Sequence, residues 1–543
     1  MVAGTPGFTL LATGTGFPST SVVEWNGRAL PTQFGTSAGL AATVTSALVA
    51  APGTVNISVY DPASGASSNS LPFGIASPAA ATAGVVQMIT VAPDGTPAND
   101  DSLVAPAISA TGRFVSFQSA ATNLASGPVS GYQEIYERDT CIGAPTGCTP
   151  STIRITVTTK ESVPVVGHSR DSSISADGRY VAFDSSAGNI LPSTSAPVCS
   201  MTSCVFLRDT CIGAPAGCAP KTSLISIALD GSTADGGRPQ ISPDGRYVTF
   251  SSNSSNVISV NINGVENAFL RDTCNGVPVG CTPSTTLVSA SSSGLPGNSP
   301  SYPSAVNSTG RFVVFGSYAT NLIPNDTSIW PDVFLRDTCT GAPAGCVAST
   351  SRMSTATDGT QGNGGVDFDL PPSISSDGRY VAFSTDATNL VPVDPNGGIM
   401  ERDTCFGAPA GCTPTTSMVS IGNDGAIPNL GEGSQSMSAD GRFIAFPSLA
   451  SNLVPGDTFT AGGWKDIFVR DTCIGAPTGC TPSTVRVSVA NYPGNFAEQS
   501  DAINDYPLIS GDGHYVVFMS SSTNYLASGG NGHLMVYLAK TGF

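Results

Sequence analysis

Cysteine is the residue whose type and spacing offer the most chemistry in this chain. There are fourteen, all in close pairs. Twelve fall in a phrase written six times, RDTCIGAPTGC at Arg138–Cys148 and its relatives at Arg208–Cys218, Arg271–Cys281, Arg336–Cys346, Arg402–Cys412 and Arg470–Cys480. The pairs are Cys141/Cys148, Cys211/Cys218, Cys274/Cys281, Cys339/Cys346, Cys405/Cys412 and Cys473/Cys480, with Cys199/Cys204 as a seventh. Redox catalysis would want Cys-x2-Cys near a βαβ unit, and neither is present. Zinc ligands commonly come as Cys-x2–4-Cys with histidine. Here six residues intervene, and the three histidines, His168, His514 and His533, are scattered over different units. Local disulfides fit better than metal. Positions facing each other across a hairpin lie ~4.5–5.5 Å apart, within a disulfide's reach. So short a loop is worth roughly 2–3 kcal/mol, and Gly-Ala-Pro-x-Gly supplies its turn residues.

Carboxylates are the next candidates. Asn325-Asp326 with Asp332, Asp394 with Asn396, and Asp457 with Asp466 form oxygen-rich loops that could hold Ca²⁺. Their spacing differs from loop to loop and none is a full calcium loop, so turn-forming Asp and Asn is the competing reading. Calcium is the one cofactor the residues suggest. The Arg-Asp pair of the repeated phrase (Arg138-Asp139 and its five relatives) occurs too often to mark a unique site, and a shared structural role such as a hydrogen bond to the neighbouring turn is expected. No Gly-x-Ser-x-Gly elbow, His-Glu-x-x-His or phosphate loop occurs, so no catalytic residue is nominated.

Composition narrows the partners. The formal charge is −17, and only four basic residues are lysines. Nucleic acid needs a basic patch and is excluded as a partner. No apolar run reaches the roughly 18–20 residues of a membrane helix. No signal peptide is visible, yet paired cysteines argue for an oxidising, extracellular setting. A missing leader suggests a mature or incomplete chain.

The elements that must position these residues repeat as well. ISADGRYVAF at Ile174–Phe183 has relatives at Ile108–Phe117, Ile241–Phe250, Val306–Phe315, Ile374–Phe383, Met437–Phe446 and Ile509–Phe518, spaced 63 to 72 residues apart. Each unit reads as four strands. Strand A precedes an Asp-Gly or Thr-Gly hairpin turn. Strand B is RYVAF, apolar on both faces as a sheet covered twice requires. Strand C is VFLRDT (Val205–Thr210), and strand D is TSLISIA (Thr222–Ala228) or STVRVSVA (Ser483–Ala490). Four-stranded units restarting every 65 or so residues predict propeller blades. The seventh unit ends at Phe543 without a strand D, while VVQMITVAPDG (Val85–Gly95) has a strand D with no blade. A ring of seven blades closed by that N-terminal strand, pairing Val85–Ala92 with Met535–Leu538, accounts for both and hides the sheet edges.

The SPDGR-Y-V-x-F units resemble the TolB-type, WD40-like propeller repeats over roughly Val85 to Phe543. The Cys-x6-Cys insertion is a departure from that family, as is Ile, Val or Met where most members carry Trp before the turn. Residues 1–76 lack the repeat and resemble the IPT/TIG domain, an immunoglobulin-like β-sandwich, through Gly14-x-Gly16-Phe17, Trp25-Asn26-Gly27, the strand at Val55–Pro62 and a closing SNSLPF. The resemblance implies a first strand upstream of Thr5. Residues 77–84 read as a linker and 85–543 as the propeller, giving an all-β chain.

The wording held constant lies in the A–B and C–D turns. The B–C and D–A loops vary, and variable loops on a rigid scaffold are where binding resides. Tyr132, Tyr302, Trp330 and Trp464 fall in those loops and are contact candidates. Both resemblances imply work through protein contact. The expectation is a non-enzymatic secreted or cell-surface protein that contacts other subunits, as in a homo-oligomer or fibre, or an extracellular glycan. The alternative is a carbohydrate-active enzyme, a polysaccharide lyase or glycosidase with its site at the ring centre. Intact mass with and without reductant is expected to show a gain of fourteen hydrogens. Free thiols in the unreduced protein would refute the pairing.

Overall fold

A computed structural model describes residues 8–543 except 50–52, 76–85, 159, 161–162, 192–198, 200–202, 263, 278–279, 368–370, 393–395, 456–463, 490–501, 503 and 526–531. Among the described residues there are strands, a short 3-10 turn at Ser46–Val49 and no α-helix. The chain divides into two compact units, the larger of which is Gly84–Thr541.

The larger unit contains seven four-stranded antiparallel sheets among the described residues. Each runs A–B–C–D. The second, for example, is Ser169–Ile174, Tyr180–Ser185, Cys204–Asp209 and Lys221–Leu224. Strand B is buried along its whole length in the first four sheets and the sixth, and nearly so in the fifth and seventh, as the two apolar faces of its sequence require. Within a sheet its Phe packs on the ring opposite in strand C, with centroids 5.7 Å apart for Phe183–Phe206 and 5.5 Å for Phe250–Phe269. Strand D is shorter than the sequence suggested, ending at Leu224 and Arg486. The apolar residues after it enter a second tight turn, bridged at Ile227↔Thr233 and Thr355↔Gln361. Asp230-Gly231 and Asp358-Gly359 make that turn, with Gly at φ 82° and 89°.

The seventh sheet takes its outer strand from the other end of the unit. Val86–Met88 pairs with Tyr537–Ala539, Met88 opposite Tyr537. Ile89 N–H adds a bond of 2.8 Å to the Val536 carbonyl. The pairing is shorter than the expected Val85–Ala92, because Ala92 already belongs to a turn closed by Gly95.

Neighbouring sheets meet through one recurring contact. The aromatic that opens strand B lies against the turn glycine of the following sheet. A Cβ on Gly178 would lie 2.2 Å from the Phe114 ring, one on Gly245 2.2 Å from Tyr180, and one on Gly441 2.7 Å from Tyr380. Gly310, Gly378 and Gly513 face Tyr247, Phe312 and Phe443 in the same way, and Gly112 of the first sheet faces Tyr515 of the seventh. Each of these glycines also has positive φ, so sterics and backbone conformation exclude a side chain independently. Backbone bonds run beside these contacts. Ala110 N–H reaches Ala176 C=O (3.0 Å), Ala176 reaches Pro243 (2.9 Å), Ser376 reaches Ala439 (2.8 Å), Ala439 reaches Gly511 (2.9 Å) and Asp512 reaches Ala110 (2.9 Å). Pro243 has no N–H to pass the series to the fourth sheet. Repeated four-stranded sheets meeting side by side are the build of a β-propeller.

The smaller unit packs two sheets on one core. One sheet is Phe8–Thr13, Gly39–Val44 and Thr32–Thr36. The other is built around Gly53–Asp61, with Val22–Trp25, Arg28–Ala29, Ala66–Ser67 and Leu71–Ile75. Val23, Trp25, Leu40, Ala42, Val44 and Val59 fill the space between them. Asn26 and Gly27, at φ 49° and 75°, make the two-residue hairpin that joins Trp25 to Arg28.

Gly441→Ala is expected to cost ~2 kcal/mol or more, since the new methyl meets Tyr380 as well as an unfavourable φ. Gly475→Ala shares the positive φ (67°) but has open space beside it, and is expected to cost less. Equal losses in melting temperature would mean that the ring contact carries no weight.

Candidate functional site

The repeated phrase works as one unit with the A–B turn. Arg113 of the turn places Nε and Nη2 on the two oxygens of Asp139 (3.0 and 2.8 Å). The same carboxylate accepts the Cys141 N–H (2.8 Å). Burial alone would raise the Asp139 carboxyl. The bonds from Arg113 and Cys141 outweigh it and hold the group below its ordinary range. Arg179–Asp209, Arg246–Asp272, Arg311–Asp337, Arg379–Asp403 and Arg442–Asp471 repeat the pair. The expected hydrogen bond to the turn is therefore the Asp half of each Arg-Asp pair. The Arg half points elsewhere: Arg336 Nη1 donates to the Ala290 and Ser291 carbonyls of the preceding sheet (3.1 and 3.0 Å).

The disulfides join Cys141–Cys148, Cys211–Cys218, Cys274–Cys281, Cys339–Cys346, Cys405–Cys412, Cys473–Cys480 and Cys199–Cys204. Cys141 lies two residues beyond the end of strand C, so the bridge closes the loop itself and not the paired strands. Asp139, Cys141 and Cys148 lie within metal-binding range of one another, but no cysteine is free to act as a thiolate ligand.

Asp326 and Asp332 do come together, and the cation between them is Arg352. Its guanidinium pairs with Asp326 and, through Nε, with Asp332 (3.2 Å). Asp332 also accepts from Ser354 Oγ (2.6 Å). Asp466 is buried likewise, bonded by Ser488 Oγ (2.6 Å) with Arg486 at 3.7 Å. Asp394 and Asp457 lie outside the described residues. Glu134 and Arg154 make the same pair in the first sheet (2.7 Å). The acid opens strand C and the arginine ends strand D. In the second, third and fifth sheets these positions hold Cys204/Leu224, Asn267/Leu287 and Gly398/Met418. Acid and arginine thus occur together or not at all, a pattern visible only when the repeats are compared column by column.

Three contact candidates share this arrangement. Tyr132, Trp330 and Trp464 each stand two residues before the acid of such a pair, in the first, fourth and sixth sheets. They are 36%, 52% and 38% exposed. Ser328 Oγ accepts from Trp330 N–H (3.1 Å) and donates to its carbonyl (2.7 Å), while Ser328 N–H donates to Asp326 (3.0 Å). Ser130 Oγ accepts from Tyr132 N–H in the same way (3.1 Å). Tyr132 meets the His168 ring edge-on at 5.2 Å. Tyr302 is on strand A of the fourth sheet (Ser301–Val306) and not in a loop, with the Arg238 guanidinium 4.7 Å over its ring.

The loops that carry these residues are less free than their wording suggested. Each begins with a fixed asparagine. Asn321 accepts from Asn298 N–H (2.9 Å) and donates to the Pro296 carbonyl (2.9 Å), and Asn123, Asn389 and Asn452 tie the B–C loop to the D–A loop likewise. Beyond those anchors, the third, fourth and fifth sheets frame a cavity of about 850 Å³. Its lining includes Arg238, Tyr302, Tyr318, Trp330, Asp367 and Asp386.

Three buried carboxyls escaped the sequence reading. Glu137 and Glu401 stand on strand C where the third and fourth sheets carry Leu270 and Leu335. Burial pushes both up to about 8, with Asp139 adding at Glu137 and Asp403 at Glu401. Burial, then Asp171, pushes Asp184 up to about 7. Asp171 itself sits at φ 48° in the bulge of the second sheet's inner strand.

No family model matches the sequence, and no curated protein matches it. Among solved structures the chain is similar to a putative TolB from Agrobacterium tumefaciens, at 15% identity over 70% of this chain and 91% of that one, TM-score 0.33. It is similar to an oligogalacturonate lyase in complex with manganese, at 10% identity over 90% and 97%, TM-score 0.43. It is also similar to the Dos1 propeller, at 11% identity over 84% and 95%, TM-score 0.38. A TolB and a propeller protein are thus among the solved structures it is similar to. Seven disulfides point to a non-cytoplasmic setting. Among the described residues no helix is long and apolar enough to cross a membrane.

A carboxyl raised to about 8 in the fold and near 4.5 when unfolded favours folding in its protonated form. Its contribution is full below pH 4.5 and is lost as pH rises through 8. Glu401→Leu is therefore expected to flatten the fall in stability between those limits, and denaturant titrations at pH 5 and pH 8.5 check it. An unchanged difference between the two pH values would remove Glu401 as its source.

Proposed function

We propose that the chain is a secreted or cell-surface protein that works by contact and not by turnover. In this reading the seven sheets are the blades of one closed propeller, residues 85–543. Residues 1–76 are an IPT/TIG-like, immunoglobulin-like sandwich and 77–84 the linker. The sandwich gives the chain a second surface through which copies could assemble into an oligomer or fibre. The observation that carries the reading is the set of exposed aromatics, Tyr132, Trp330 and Trp464, each held at the same end of its sheet in front of an acid that opens strand C. Exposed aromatic anchors on a rigid base are contact residues. The polar residues that recur in the repeats are engaged in holding the blades, as Arg113, Asp139 and Asn321 illustrate.

A second reading, a carbohydrate-active enzyme, has one specific observation in its favour. Asp184, raised to about 7, lies beside Asp171, and two interacting carboxyls are what a glycosidase uses.

Two measurements decide between these readings. Light scattering of the full chain and of a chain starting at residue 77 is expected to give a larger, concentration-dependent mass for the former only. Incubation with polysaccharides is expected to leave their chain length unchanged. Shortened chains, lost with Asp184→Asn, would replace the contact reading by the enzymatic one. Equal monomeric masses for the two chains would remove self-assembly.

A further inference from the structure

We infer that the cavity framed by the third, fourth and fifth sheets binds a neutral hexose-based glycan, with Trp330 as the plate on which a sugar ring stacks. The inference rests on the contact reading above and names its ligand.

The first argument is the cost of presenting Trp330. Its loop is anchored by Ser328 and Asp326, and Asp326 is anchored in turn by Arg352, which also holds Asp332. Side chains of Arg352, Asp326 and Asp332 are 9%, 2% and 2% exposed. Desolvating three charged groups is expensive, and the third and fifth sheets fold with the uncharged pairs Asn267/Leu287 and Gly398/Met418 at the equivalent positions. The outcome of that expense is a loop held firmly enough to keep a large apolar side chain half in water. An indole so placed gains when a ligand covers it.

The second argument is the chemistry around the plate. A sugar ring has apolar C–H faces and a rim of hydroxyls. Trp330, Tyr318 and Tyr302 supply flat apolar surface, and Asp367 and Asp386 supply hydroxyl acceptors in the same cavity. Two carboxylates against the one guanidinium of Arg238, itself stacked on Tyr302, leave the lining acidic. The chain's charge of −17 adds to this. Polyanionic glycans are therefore disfavoured and neutral ones accepted. The floor is kept low by glycine: a Cβ on Gly365 would come within 3.2 Å of Pro331 and 3.6 Å of the Trp330 Cβ.

The third argument is recurrence. Tyr132 and Trp464 stand at the equivalent position of the first and sixth sheets, and the other sheets have Thr202, Val265, Asn396 and His533 there. An aromatic at this position is thus not required by the blade. Three plates on one repeated scaffold suit a ligand that is itself a repeat, since a polymer engages several weak sites at once.

Affinity electrophoresis of the full chain through gels containing dextran, mannan or a β-1,3-glucan tests the inference, with polygalacturonate as the acidic comparison. At least one neutral glycan is expected to retard the protein. Trp330→Ala is expected to weaken retardation about tenfold or more, the scale of a buried aromatic anchor. Trp330→Phe is expected to restore part of it, and Val347→Ala, an exposed apolar residue beside a clip, to leave it unchanged. No retardation by any neutral glycan, retardation by polygalacturonate alone, or equal retardation of wild type and Trp330→Ala would each overturn the inference. If retained glycan is shortened, the site stands and the non-enzymatic reading fails. If no glycan binds but the chain still associates with itself, the contact reading stands and the glycan fails.

Discussion

The molecule depends on one contact: the aromatic ring that opens strand B, caught between its own arginine and the next sheet's glycine. Arg179 lies 4.8 Å over the Tyr180 ring while Gly245 closes the other side. The arginine is held in place by both oxygens of Asp209, and that carboxylate also takes the Cys211 N–H at the root of the disulfide loop. Clip, carboxylate, guanidinium, ring and neighbouring glycine therefore form one chain of contacts from the C–D loop of one sheet to the A–B turn of the next. The disulfide steadies a loop that would otherwise be free to let the aspartate swing, and the aspartate fixes the plane of the guanidinium. This explains why the phrase and the turn are worded together in the sequence.

The seventh sheet tests that logic from inside the molecule. His514 replaces the arginine, and this sheet has no C–D loop for a clip because its outer strand arrives from Val86–Met88. Tyr515 nevertheless meets Gly112, and Thr541 still donates to the Gly513 and His514 carbonyls, as Thr210 does to Arg179. The geometric part of the contact is thus separable from its ionic reinforcement. At the opposite end of that sheet's third strand, Asp101 from the segment that follows the N-terminal strand accepts the Leu534 N–H (2.7 Å).

Most of the fold was legible because its signals are local and repeated. An Asp-Gly turn between two apolar runs, six identical cysteine spacings, and a strand D without a blade at one end matched by a blade without a strand D at the other are patterns that need no partner to be recognised. What escaped the sequence reading depends on partners far away. Strand D stops at Leu224 because Asp230-Gly231 claims the next residues for a turn, and a run of apolar residues cannot announce that by itself. Asn321 reads as loop wording until its two bonds to Asn298 and Pro296 are seen. Asp326 and Asp332 suggest a metal because the arginine that satisfies them lies 20 residues further on, at the end of a different strand. Glu137 looks like any strand acid, and only burial between sheets reveals that it favours its proton.

The distribution of these features separates scaffold from function. Residues that recur in nearly every sheet, the turn glycine, the arginine and its aspartate, have partners that account for them. Residues that recur in some sheets and not others need a further reason, because four sheets fold without them. The aromatic before strand C belongs to this second group, and so does the buried acid–arginine pair beneath it. Their joint presence in the first, fourth and sixth sheets is explained if the pair exists to carry the aromatic. A buried ion pair is a poor source of stability but a good source of fixed geometry. That preference makes sense where a side chain must be presented to something outside the molecule, and under the contact reading proposed above the working surface is the end of the sheets opposite the disulfide clips.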